Sequence, residues 1–473
     1  MEELSRKLGA GCEGGFMTIT ERQSQVIKSD RMPLLKKLFW TYFLLLIFEG
    51  ALRKWILPQL AGPLLVVRDP IALLIIVEAY RDRKWPRQWA GTVGILTAGL
   101  FALCFLQLVV GETRWFIALY GLRSYLLPFP VAFIMGANLD EEDLRKFGTC
   151  ILWLLLPLTA LEVAQYLAAP SSFLNVGASI GAVQLESASG HVRASATFSY
   201  VVGPVSYIPL AAAFIFYGLA NARFAKKSLL WAAAFALVLA VPVTGSRSLV
   251  FLIAGVVACV GLAAFFGVSQ FVKSLQMITA LLLVSALVSR LPIFSQATDT
   301  LVTRFTLAAG SEGNTEDSLM LRLVRPVTGT IEESIAKENW LGTGVGYGAS
   351  AISKLLTGTQ IFLAGEDEFA RVLNEFGAPA GMAFMFFRWT LALMIAAKAL
   401  SRVREHQPLA WLLVPLMSMT LIFGVLEQPT EQGFMVISVA FSLAALRLTE
   451  IPVEEAQESK LQWKQRRFGM GAQ

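Results

Sequence analysis

Apolar runs of membrane-crossing length recur along this chain from Leu34 to Leu446, separated by short polar or basic loops. A run of about eighteen or more such residues crosses about 30 Å of hydrocarbon as a helix. The pattern predicts about twelve spans, near 34–52, 63–80, 92–110, 117–137, 148–168, 200–220, 229–245, 248–267, 272–289, 373–397, 409–426 and 433–448. Membrane β-barrels show short alternating segments instead, so that class is excluded. One polar block, Arg290 to Arg371, interrupts the series and is far longer than a connector needs to be. It opens on an amphipathic stretch, 290–307, and passes through the polar tract 310–317. A helix-like run from Leu319 to Trp340 follows, carrying Arg322 and Arg325. The Gly-rich run Gly342 to Gly348 comes next, and the acidic cluster Glu366, Asp367 and Glu368 closes the block.

The expected fold is therefore all-α: a polytopic membrane helical bundle with one long, partly helical outer loop. Its divisions are a cytoplasmic tail over 1–33, membrane helices one to nine over 34–289, the outer loop over 290–372, helices ten to twelve over 373–448, and a second cytoplasmic tail over 449–473. Composition agrees, since 55% of the 473 residues are hydrophobic and only 16% are charged. The net charge of +6 is no sign of nucleic acid, because the basic residues sit mainly in short loops beside the spans. None of the four cysteines falls in the long block, and there are only two histidines, so neither a disulfide framework nor a His-based metal site is expected.

Charge asymmetry sets the expected orientation. Arg81, Arg83, Lys84 and Arg87, then Arg145 and Lys146, then Arg223, Lys226 and Lys227, then Lys398, Arg402 and Arg404 fall in alternate short loops. This bias places them, and both termini, in the cytoplasm and turns the long block outward. A second set then stands out. Arg53, Arg68, Arg123, Arg193 and Arg247 fall at the outward ends, together with Arg322, Arg325 and Arg371 of the block. Arginines that only set orientation belong on the other side, and a fork-shaped cation suits a phosphate or pyrophosphate. Plainer readings stand beside this one. Arg53 and Lys54 near Trp55 are ordinary interface side chains, Glu49 pairs with Arg53 at helical spacing, and Arg68 neutralises Asp69. Arg247, in the tight hairpin Val243 to Ser248, is harder to explain structurally, because a turn needs Gly and Ser but no cation. The Gly342 to Gly348 run lacks the Lys-Ser/Thr of a phosphate loop and reads as a turn on which the block folds back.

The order of these features resembles the O-antigen ligase and O-antigen polymerase-like superfamily. The residues that carry the likeness are Val192-Arg-Ala-Ser-Ala-Thr-Phe198, the Thr244-Gly-Ser-Arg247 hairpin, Arg322 followed by Asn339-Trp-Leu-Gly-Thr-Gly-Val-Gly346, and Leu373-Asn-Glu-Phe-Gly-Ala-Pro-Ala-Gly381. The resemblance spans most of the chain from Arg193 to Gly381, and each motif is short and degenerate. One departure matters. The family's His-Asn pair stands nine and eight residues before the Glu of the last motif, and here those positions hold Glu366 and Asp367. A carboxylate serves as general base where a low-dielectric pocket lifts its pKa.

The resemblance implies a metal-independent glycosyltransferase in the bacterial inner membrane, without cofactor. It would transfer or polymerise an undecaprenyl-pyrophosphate-linked glycan onto a glycan or lipid acceptor at the outer face, alongside polysaccharide assembly proteins. Glu366 or Glu368 would be the base and Arg322 a catalytic cation, while Arg193, Arg247, Arg325 and Arg123 would bind substrate. Two other classes stay open: a transporter or flippase of lipid-linked glycan, and a non-catalytic subunit of a polysaccharide secretion complex.

Overall fold

The computed structural model describes residues 33–111, 113–178, 184, 190–221, 223–266, 278–279, 290, 295–299, 301–303, 306, 339–349, 352–353, 356, 367–405 and 407–448. Among them the chain is helical, without a strand. Thirteen α-helices among the described residues carry the architecture: α1 Leu34–Ala51, α2 Arg68–Arg81, α3 Arg87–Val110, α4 Trp115–Leu126, α5 Pro128–Asn138, α6 Glu141–Leu167, α7 Val202–Ala220, α8 Lys227–Thr244, α9 Arg247–Phe265, α10 Glu368–Phe376, α11 Ala378–Arg404, α12 Leu409–Ile422 and α13 Pro429–Ala445. Among the described residues, seven stretches are long and apolar enough to cross a membrane: α3, the near-continuous α4–α5, α6, α7, α8, α9 and α11. The chain is a multi-pass membrane protein by this criterion, with seven candidate spans among the described residues where about twelve are expected over the whole chain. The ninth expected span, 272–289, lies almost wholly outside the described residues, as do Arg322, Arg325, Glu366 and most of the long polar block.

α13 is the centre of the bundle. It packs against α1, α5, α6, α7, α11 and α12, and nearly all of its residues from Gln432 to Ala445 are buried. Small residues, Gly433, Ser438, Ala440, Ser442, Ala444 and Ala445, let so many neighbours approach one short helix. Ser438 shares a 2.9 Å hydrogen bond with Thr420 of α12.

The two ends of the bundle differ in kind. At one end Lys36 bridges Asp140 and Asp143, the Asp140 and Asp143 side chains form a capping box that starts α6, and Asn138 donates to the Lys84 carbonyl. Arg447 donates to the carbonyls of Ala137 and Leu139, and Arg402 to that of Leu446. These are the ends of α5, α11 and α13 and the starts of α1, α3 and α6. They carry the basic loops that the sequence assigns to one side.

The opposite end holds a buried ionic layer. The tenth expected span, from 373, is divided there: Gly377 (φ +80°) ends α10 before α11 begins. A Cβ at this glycine would lie 2.2 Å from the Trp340 carbonyl oxygen, so the helix must break where the chain of 339–349 crosses it.

Candidate functional site

The far end is assembled from two polar clusters around the start of α13. In the first, the last turn of α1 opens into a π-turn, Leu52–Ile56, which turns both Arg53 and Lys54 into the protein. Such single π-turns recur at functional sites. Glu49 accepts from Arg53 at 3.3 Å and from Arg68 at 3.1 Å, and Arg68 also reaches the Pro429 carbonyl. The pair expected between Arg68 and Asp69 does not form, because neighbouring residues on a helix point in different directions. Asp69 instead pairs with Arg123 at 3.0 Å, and the Arg123 guanidinium also lies 4.4 Å from the Tyr120 ring centroid. Arg123, one of the expected substrate-binding residues, thus pairs through one nitrogen with a carboxylate of the protein itself.

Lys54 holds the segment that leads from Arg193 into α7. Its ammonium lies 2.5 Å from Ser195 Oγ and donates to the Ala196 carbonyl, while Ser195 donates to Gln184. Gln165 accepts from the Ala196 N–H at 2.8 Å, Thr197 donates to the Ile47 carbonyl, and Arg53 donates to Ser199. Ala196 sits at φ +47°, a conformation that a non-glycine residue keeps only when its surroundings impose it. The close approach is set by Gly50, where a Cβ would lie 2.2 Å from the backbone of Phe198 and Ser199. Burial, and after it the charge of Arg53, lower the Lys54 ammonium to about 7.

This fastening delivers Arg193 to a cavity of about 240 Å³ between α7, α9 and α12. Its lining includes Arg193, Tyr200, Ser246, Ser248, Thr420 and Glu431. Ser246 and Ser248 flank Arg247, and the hairpin they belong to turns on Gly245 at φ +57°. Arg193 and the two neighbours of Arg247 in the chain, far apart in sequence, are thus brought to one cavity. Glu431, in the first turn of α13, adds a carboxylate that sequence reasoning did not single out; the Val425 N–H donates to it. The cavity has room for a phosphate-sized group and offers a cation, hydroxyls and a carboxylate.

The second cluster surrounds α10. Glu368 is buried and accepts from Arg388 at 2.5 Å and from the Leu426 N–H at 3.3 Å. Burial raises its carboxyl, and Arg388 and Arg371 oppose that shift. One carboxylate oxygen of Glu368 is thus paired with Arg388. That arginine, wholly buried in α11, also donates to the carbonyls of Leu421 at 2.7 Å and Gly424 at 2.6 Å, and so caps the end of α12. Sequence reasoning passed over Arg388, although a charge in the middle of an apolar run was a visible signal. Arg371 stands 3.6 Å from Glu427, a buried carboxyl that burial and then the neighbouring Glu375 raise well above its ordinary value.

Glu375 joins two of the sequence motifs. Its carboxylate accepts from the backbone N–H groups of Gly346 and Gly348, at 2.8 and 2.7 Å. Gly342, Gly344 and Gly346 all have positive φ, and this curls successive N–H groups inward. Gln107 of α3 completes the junction: it donates to the carbonyls of Leu341 and Glu375 and accepts from the Val345 N–H. The Gly-rich run is a turn, as expected, and the anion it cradles is a side chain of this protein. No group of His, Cys, Asp and Glu among the described residues has the arrangement to hold a metal.

No family model matches the chain, and no curated protein or solved structure matches it significantly.

Proposed function

We propose that this chain is a metal-independent glycosyltransferase of the O-antigen ligase or polymerase type, acting on an undecaprenyl-pyrophosphate-linked glycan at the outer face of the bacterial inner membrane. In this reading about twelve spans cross the bilayer, both termini are cytoplasmic, and the end bearing the ionic layer faces outward. The observation that carries the proposal is the meeting of Arg193 with Ser246 and Ser248, neighbours of Arg247, at one cavity.

The chemistry follows from those groups. The acceptor hydroxyl attacks the anomeric carbon of the donor, its proton passes to a carboxylate, and the bond to the pyrophosphate breaks with the electron pair leaving on phosphate oxygen. Arg193 and Arg247, with Arg322 and Arg325 from the long block, stabilise that leaving charge as it grows. Glu366 is the base that the family spacing selects. Glu431 is the carboxylate that lines the cavity, and the two are separated by their Gln variants.

The test uses membranes containing the protein and a purified lipid-linked oligosaccharide, without nucleotide sugar or ATP. The expected result is consumption of the donor with release of undecaprenyl pyrophosphate, lost in Arg193→Ala and Arg247→Ala at unchanged expression. Donor that crosses the bilayer chemically intact would replace this reading with transport.

A further inference from the structure

A second feature runs along α3 and α11, from the basic end of the bundle to Phe376 at the end of α10. α3 packs on α4 and α5, and a gap separates it from α11. The gap is a groove of about 400 Å³ whose walls are almost wholly apolar: Ile95, Leu96, Leu100 and Leu103 from α3 face Phe384 and Phe387 from α11. Small residues keep it open. A Cβ built on Gly99 meets nothing within 4 Å, and Ala380 and Ala383 line the facing wall.

At the basic end this groove meets a second cavity of about 470 Å³, and Thr92 lines both. The second cavity differs in character. Gln88, Trp89, Lys398 and Arg447 line it, with Gly136 and Leu443 behind them. Trp89 is fixed by stacking on Phe133, with ring centroids 4.2 Å apart. Arg447 is oriented by its bonds to Ala137 and Leu139, whereas exposed Lys398 makes no ion pair among the described residues. A polar mouth with two cations and an indole therefore opens onto a long apolar slot.

We propose that this cleft binds an anionic diacyl phospholipid, its phosphate at Lys398 and Arg447 and an acyl chain lying between α3 and α11. Charge complementarity selects the head, because two cations at a membrane surface attract an anionic headgroup. The walls select the tail, because a hydrocarbon chain is the chemistry that fills an apolar slot facing the bilayer. Trp89 sits where interfacial tryptophans meet headgroups. The inference is independent of the glycosyltransferase reading, since its headgroup contacts lie at the basic end of the bundle and it needs no turnover.

Native mass spectrometry of the purified full chain tests it, with dioleoyl phosphatidylglycerol and dioleoyl phosphatidylethanolamine offered in equal amounts. The wild type is expected to retain phosphatidylglycerol over phosphatidylethanolamine about five-fold or more, the scale of one well-placed surface cation. Lys398→Gln should bring the two lipids close to parity. Gly99→Phe, placed where a side chain meets empty space, should lower retention of both at an unchanged melting temperature; Gly99→Leu is the milder second variant. Glycerol phosphate should not displace the lipid. Equal retention of both lipids by the wild type overturns the proposal, as does indifference to Lys398→Gln or to both Gly99 variants. Displacement by glycerol phosphate would make it a site for free phosphate and equally defeat it. A polyprenyl phosphate whose binding depends on Gly99 but not on Lys398 would assign the groove to a lipid entering from the other end.

Discussion

The Glu375 carboxylate and the Gly348 N–H, 27 positions apart, are joined by a 2.7 Å hydrogen bond, with Gly346 donating to the second oxygen. This pair explains why the Gly-rich run and the Leu373 to Gly381 motif occur together: one curls the backbone into a cradle and the other supplies the anion. Replacing Glu375 with Gln turns one accepting oxygen into a donor facing an N–H. The expected cost is about 1–3 kcal/mol of stability, read as a lower melting temperature in detergent. Faster hydrogen exchange at 342–348 should accompany it. Exchange that is unchanged in Glu375→Gln would show that Gln107 and the backbone bonds hold the junction without the carboxylate.

Lys54 gives a pH signature. Its ammonium is lowered from the ordinary 10.5 to about 7, chiefly by burial. Between those values the unfolded chain binds a proton that the folded chain does not, so stability should rise with pH from about 7 toward 10.5. Below about 7 both states are protonated and the cost of burying the charge is paid in full. Lys54→Met should abolish this part of the slope while losing the bonds to Ser195 and Ala196. A wild type and a Lys54→Met variant whose melting temperatures run parallel from pH 7 to 10 would contradict the assignment.

The helices were legible because hydrophobic runs of membrane length have few alternatives once water is excluded. The buried ionic layer was legible only in part. Arg193 and Arg247 stood out because they oppose the charge bias of the loops; Arg193 lines a cavity to which Ser246 and Ser248, the neighbours of Arg247, also contribute. Partner choice could not be read, because it depends on which helix faces meet. Arg68 was matched with its sequence neighbour Asp69 but bonds to Glu49, and Asp69 takes Arg123. Glu431 was hidden at the start of a helix that reads as an ordinary span, and its place in the cavity follows from α13 being central to the bundle. The break at Gly377 was invisible for a similar reason: it answers to the Trp340 carbonyl, 37 residues away in sequence.

Orientation can be checked independently of activity. The ends that carry Lys36, Lys84, Arg402 and Arg447 lie together, and the proposed orientation, from the positive-inside bias, places that face in the cytoplasm. A cysteine at Ser401, at the exposed end of α11, should resist an impermeant thiol reagent applied to intact spheroplasts. A cysteine at Ser311, in the long polar block, should react. Cys12, Cys104, Cys150 and Cys259 are first replaced with serine or alanine. The reverse labelling pattern would invert the molecule and remove the outer-face reaction with it.

The last prediction separates structure from catalysis at Glu368. Its 2.5 Å contact with Arg388 joins two buried charges, and Arg388 in turn caps α12. Removing one partner of a buried pair leaves the other charge uncompensated, which costs about 3–5 kcal/mol, whereas replacing both with apolar groups of similar volume is often close to neutral. Arg388→Met alone should therefore destabilise the protein strongly, and so should Glu368→Leu alone. The double variant should recover much of the lost melting temperature, less the share owed to the carbonyls of Leu421 and Gly424. Activity decides the rest. If Glu368 is structural, the double variant regains donor consumption as it regains stability, while Glu366→Gln loses on the order of 10²–10⁴ in rate with the fold intact. If the double variant folds and stays inactive while Glu366→Gln turns over normally, the base is Glu368, and Arg388 must release it during the reaction.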